Sequence, residues 1–164
     1  MYALNVKRAD IEPKATESLE AMFDIIDKLL QKGYAYKLPN GDIYFDTSKD
    51  EEYCKLSNKC QDDEVHRIEI EGKKNPADFA LWKACKGKED VCFDSPFGSG
   101  RPGWHIECSA MIKKHIAYSG EYEIDIHGGG ADLFFPHHEN EEAQTYCAYG
   151  EHLANIGCIT DSFK

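Results

Sequence analysis

Residues 122–150 constrain the fold more than any other stretch of this sequence. Tyr122 to His127 (YEIDIH) alternates apolar and polar side chains as a strand does, and three glycines follow at Gly128, Gly129 and Gly130. A run with helical spacing then continues to about Tyr149, ahead of Gly150. Pro136 suits the first position of that helix, where an N–H would be left unpaired anyway. Glu139, Glu141 and Glu142 fall in the early turns, where the helix dipole favours acids. Upstream, Trp104 to Tyr118 also has helical spacing, with Ile106, Met111, Ile112 and Ile116 available for burial and Gly120 as its stop. Helix, strand, glycine-rich turn, helix is the grammar of an open α/β sheet with ligands at its strand ends.

The first hundred residues read as a different unit. From Thr16, a plausible cap, Leu19, Met22, Phe23, Ile26, Leu29 and Leu30 keep helical spacing up to Gly33. Asn40-Gly41 between apolar-rich flanks predicts a hairpin. Residues 48–76 are polar and charged, with only Ile68 and Ile70 alternating, and are expected to be exposed; Asp78 to Lys83 (DFALWK) is expected to pack. Residues 94–103 read as a loop. Gly98, Gly100 and Gly103 formally match G-x-G-x-x-G, but no apolar strand precedes them and Pro102 interrupts the run, so they are no dinucleotide fingerprint.

Composition narrows the class. The 164 residues, 41% hydrophobic and 30% charged, suit one ordinary domain, or one domain carrying a small insertion, and exclude a disordered or collagen-like chain. No apolar run approaches the roughly 18 residues of a membrane span. A net charge of −11 argues against broad attraction to phosphate backbones, though a local patch remains open. Seven cysteines without an apolar leader predict reduced thiols in a cytoplasmic setting. Cys54, Cys60, Cys85 and Cys92 miss the spacing of a structural zinc cluster and read as separate thiols, and His66 and His152 read as solvated.

The chemistry concentrates in FPHHENEEAQ. On a helix His137 shares a face with Glu141, and His138 with Glu142, and either pair offers a nitrogen and an oxygen to one zinc ion. The same spacing also makes ordinary exposed helix pairs, and it does not choose between the two histidines. Cys108 is the candidate third ligand, because near a helix start the dipole lowers a thiol's pKa. The glycine run lets backbone N–H groups meet anions or sugar hydroxyls, and Asp132 just beyond suits a ribose hydroxyl; the plain alternative is a tight turn.

Together GRPGWHIECSAM, DIHGGGADLFFPHHENEEAQ, NGDIYFD and NPADFALWK resemble cysteinyl-tRNA synthetase, a class I aminoacyl-tRNA synthetase, in order from about residue 2 to about residue 155. The resemblance implies a Rossmann-like α/β catalytic domain. Residues 1–11 would end its first half, 12–99 would form a connective insertion, and 100–164 would be its second half. It implies zinc on Cys108, His137 and Glu141, and a cysteine pocket lined by Trp104 and His127. Gly128, Gly129, Gly130 and Asp132 would face ATP or the adenylate. It further implies cysteine, ATP and tRNA(Cys) as partners, with zinc selecting the substrate thiolate.

The family's fourth zinc ligand, its HIGH-type and KMSKS-type motifs and its anticodon-binding region have no counterpart in these residues. The chain alone is therefore expected not to activate cysteine, and an uncovered sheet face is expected to favour self-association. Three other readings compete: the related cysteine ligase of mycothiol synthesis, a zinc hydrolase working through activated water, and a non-catalytic fragment. Glu141 favours the tRNA enzyme over the mycothiol ligase.

Overall fold

Burial of one helix face organises the first half of the molecule. Helix α1 (Leu19–Lys32) turns Met22, Ile25, Ile26 and Leu29 inward, each fully buried, and ends at Gly33, whose φ of +81° suits glycine. Ser18, rather than the expected Thr16, precedes its first residue, because Ala15–Glu17 forms a separate short turn. The computed structural model describes residues 2–58, 71–87 and 91–160. Cys60, His66, Ile68 and Ile70 lie outside them.

The hairpin forms as expected. Strand β1 (Ala35–Lys37) pairs antiparallel with β2 (Ile43–Phe45), and the Asn40 side chain accepts the Asp42 N–H at 2.9 Å inside the connecting turn. Strand β2 pairs with β3 (Phe79–Ala84), and β3 with β4 (Gly100–Pro102), giving a four-stranded antiparallel sheet in sequence order. Gly100 to Pro102, expected in a loop, is thus an edge strand. Gly100 and Gly103 leave no room for a side chain: a Cβ would stand 2.4 Å from the Trp82 indole nitrogen at the first and 1.9 Å from the Ala80 carbonyl oxygen at the second. Asp78 fastens the sheet to its loops by accepting from the Thr47 N–H and hydroxyl and from the Tyr36 hydroxyl.

The second half begins with α2 (Trp104–His115), followed by β5 (Tyr122–Gly130), a short α3 (Ala131–Leu133), α4 (Glu139–Tyr149) and β6 (His152–Thr160). Strands β5 and β6 pair in parallel, as a strand–helix–strand unit requires. Two expectations need correcting here. The three glycines are not a turn but the end of β5, with Gly128, Gly129 and Gly130 aligned on Cys158, Ile159 and Thr160. Pro136 does not open a regular helix: Phe135 is extended, the Phe135–Pro136 peptide is cis, and regular α4 starts at Glu139.

Both halves share one core. Helix α1 packs on α2 and α4, and the Met22 to Leu29 cluster is continuous with Phe45, Trp82, Ile106, Ala110, Ala143 and Cys147. Ile116, expected to be buried, lies past the end of α2 and is 51% exposed. Ile126 and Ile156, on the parallel strands, are exposed as well.

The cysteines are not all separate thiols. Cys85 and Cys92 form a disulfide, and Cys54 is disulfide-bonded too, whereas Cys108, Cys147 and Cys158 are free. Nor is residue 48 onward merely exposed surface. Its described turn docks on α4: the Glu139 carboxylate accepts from the backbone N–H groups of Cys54 at 2.7 Å and Ser57 at 2.8 Å, and the Tyr53 hydroxyl donates to Asn140. Among the described residues no helix is long and apolar enough to cross a membrane.

Candidate metal centre

Three elements converge beside the start of α4. Helix α2 brings His105 and Cys108, three residues apart and so on one face. The end of β5 brings His127, the segment leading into α4 brings His137 and His138, and the first turn of α4 brings Glu141. Cys108, His137 and Glu141 each present one ligand atom within 4.8 Å of the others. His127, His138 and Glu141 meet the same criterion, so Glu141 belongs to both groups.

Glu141 is the hub. It is fully buried, its Oε2 is hydrogen-bonded to His127 Nε2 at 2.7 Å, and its Oε1 lies 3.1 Å from His137 Nε2. That second approach is not aligned as a hydrogen bond, and Oε1 has no hydrogen-bond partner among the described residues. A buried carboxylate oxygen without a partner costs free energy. A cation between Oε1, the Cys108 sulfur and His137 Nε2 would supply what it lacks, and a thiolate, an imidazole and a carboxylate are zinc's usual donors. The residues fit a zinc ion.

The structure also separates the two histidines that spacing left equivalent. His137 faces Cys108 and Glu141, whereas the His138 ring stands 4.5 Å from the His127 ring. The His138–Glu142 pairing does not form. Glu142 instead takes His152 Nδ1 at 2.6 Å and the Leu153 N–H at 2.9 Å, so His152 is half-buried and paired rather than solvated.

The electrostatics suit a cation. Burial alone raises the Glu141 carboxyl, but the hydrogen bond from His127 and the adjoining His137 outweigh it and hold the group at about 2. The Cys108 thiol moves the other way from the helix-dipole expectation, pushed up to about 12 by burial and then by the charge of Glu141. Cys108 is the fifth residue of α2, beyond the first turn where the dipole acts. A bound cation reverses this logic, because it deprotonates a coordinating thiol.

Of the remaining predicted residues, Trp104, His127 and Gly129 border this cluster. Trp104 is 60% exposed, and its ring centroid lies 4.5 Å from that of His137. Cys108 and His127 open onto an apolar groove of about 300 Å³ walled by Ile11, Met111, Ile124 and Ile126. Gly129 passes so close to His138 that a Cβ would stand 2.5 Å from its Nε2. The Asp132 side chain is turned back toward Gly130 and is solvent-exposed.

Two participants were missed in the sequence reading. His105 places its Nδ1 2.9 Å from Nδ1 of His137, and its position three residues before Cys108 was the available signal. Burial, followed by the nearby His137, lowers the His105 pKa to about 4. Glu139 gave no comparable sign, since its partners lie more than eighty residues upstream.

Comparison with known proteins identifies the family. The family profile "tRNA synthetases class I (C) catalytic domain" matches residues 1–161. Over 156 residues, 94% of this chain, the sequence is 70% identical to a cysteine–tRNA ligase of Nitratiruptor sp. and 63% identical to one of Sulfurovum sp.. A cysteine–tRNA ligase of Wolinella succinogenes is 61% identical over the same length. The chain spans about a third of these relatives, 34%, 34% and 33% of their lengths. By this match, and by the sequence runs that carry it, the chain belongs to the class I (C) tRNA synthetase catalytic-domain family.

Proposed function

We propose that the chain is part of a cysteine–tRNA ligase, which joins the cysteine carboxylate to the AMP part of ATP with release of pyrophosphate and then passes the cysteinyl group to tRNA(Cys) with release of AMP, and that Cys108, His137 and Glu141 hold a zinc ion. The observation that carries the metal reading is the buried, partnerless Oε1 of Glu141 beside a thiol and an imidazole nitrogen. When bound, zinc supplies a soft Lewis-acid centre that keeps a substrate thiol ionised and prefers it to the hydroxyl of serine.

The protein's residues set up that choice. His127 occupies one oxygen of Glu141 and leaves the other for the metal. Trp104 stands over His137 as a wall of the cysteine pocket. Selection through a bond to sulfur achieves what an apolar pocket does poorly, since near-isosteres differ by little in packing. Gly128, Gly129, Gly130 and Asp132, at the carboxyl end of a parallel strand, occupy the place where open α/β sheets receive nucleotides, which supports assigning them to ATP or the adenylate.

Metal analysis of the purified chain tests the site. Zinc is expected to fall with Cys108→Ala and with His137→Ala, and equal zinc in all three proteins refutes the assignment. In ATP–pyrophosphate exchange the isolated chain is expected to show no cysteine-dependent turnover, and measurable turnover refutes that expectation.

A further inference from the structure

His105 sits behind the metal centre, and its contact with His137 carries a consequence for which ring nitrogen bears a proton. A neutral imidazole has one N–H and one lone pair. His137 Nε2 lies 3.1 Å from Glu141 Oε1, within the group that also holds Cys108, so offering its lone pair there requires the hydrogen to be on Nδ1. His137 is only 5% exposed, so a hydrogen on Nδ1 needs an acceptor inside the protein. The atom 2.9 Å away is His105 Nδ1, which accepts when its own hydrogen is on Nε2. The reverse arrangement puts the His137 hydrogen on Nε2, yet the oxygen nearest that atom, Glu141 Oε1, accepts no hydrogen bond among the described residues.

From this geometry we infer that His105 is a positioning residue: its Nδ1 accepts the Nδ1–H of His137, fixing the tautomer and ring orientation that present His137 Nε2 as a metal ligand. The inference rests on the metal reading above. The role moves no proton on or off the pair; it concerns only where one hydrogen lies between the two rings. His105 is itself held by its surroundings. The Gln144 side chain donates to its backbone carbonyl at 3.1 Å, and its ring meets the Phe79 ring edge-on at 5.6 Å. The helix that supplies Cys108 therefore also supplies the acceptor that aims His137.

The test is a cobalt(II) titration of the purified chain, with zinc competition, on wild type, His105→Leu and His105→Asn. Leucine keeps the ring's approximate volume without an acceptor, and the asparagine amide oxygen restores one near the Nδ1 position. His105→Leu is expected to weaken metal binding about 10- to 100-fold, the range for losing such an outer partner, and His105→Asn to recover most of it. Circular dichroism and melting midpoints check that each variant is folded. Long-range ¹H–¹⁵N NMR on the wild-type rings gives a second readout, expected to find His137 protonated on Nδ1 and His105 on Nε2. Equal affinity in all three proteins, while Cys108→Ala and His137→Ala still weaken binding, overturns the role of His105 alone. A His137 ring protonated on Nε2 in the metal-loaded chain also overturns it. If Cys108→Ala and His137→Ala change nothing, or the wild type takes up no cobalt, the metal reading falls and the His105 role falls with it.

Discussion

Replacing Glu139 with alanine tests whether the turn at residues 53–57 and helix α4 are mechanically one piece. The carboxylate is 2% exposed and accepts two backbone N–H groups, from Cys54 at 2.7 Å and Ser57 at 2.8 Å. A hydrogen bond to a charged group contributes about 1.5–3 kcal/mol net. Losing both, partly offset by the lifted desolvation of the carboxylate, gives an expected cost of about 3 kcal/mol. For a chain of this size about 1 kcal/mol lowers the melting midpoint by roughly 2–4 °C, so Glu139→Ala should melt about 6–12 °C below wild type. Glutamine keeps one accepting oxygen but turns an N–H₂ toward the other donor, so Glu139→Gln should lose at least half as much. Calorimetry gives the shift, and amide hydrogen exchange locates it, with protection at Cys54 and Ser57 lost before protection in α1. A midpoint within about 2 °C of wild type, with exchange at those amides unchanged, would refute the reasoning.

Two further outcomes follow from buried charge. In the metal-free chain the folded-state pKa of His105 is depressed from 6.5 to about 4, so the unfolded state binds the extra proton first. Its contribution is fully present above pH 6.5 and is lost as pH falls toward 4, by up to about 3 kcal/mol at 1.36 kcal/mol per unit; urea midpoints that stay flat across that window would contradict this. Lys113 Nζ pairs with the fully buried Glu123 at 2.7 Å and with Glu151 at 2.8 Å, so Lys113→Ala should cost about 3–5 kcal/mol by stranding Glu123. Adding Glu123→Gln should recover most of that loss, and a chemical denaturation series on both variants measures it.

What the sequence revealed depended on how local the cause was. Helix α1 was legible because its apolar face repeats at helical spacing and Gly33 ends it, and the hairpin because Asn40-Gly41 marks a turn. The glycine run was not, because glycine carries no β signal; Gly128 to Gly130 are held extended by pairing with Cys158 to Thr160, a partner thirty residues on. Gly100 to Pro102 misled for the same reason, since β3 and not local preference makes it a strand. At the candidate metal centre, helical spacing paired His137 with Glu141, but it paired His138 with Glu142 just as well. Only the packing of His127 and His152 separates them.

Glu141 turns one oxygen to His127 and keeps the other bare, so its two sides answer to different neighbours. Because His127 holds Oε2, a change on β5 that shifts His127 is expected to shift the bare oxygen as well, though nothing near Cys108 has been altered. On the proposed metal reading, substitutions along that strand, including ones that never approach the thiol, should register as changes in the affinity for added cobalt(II) or zinc.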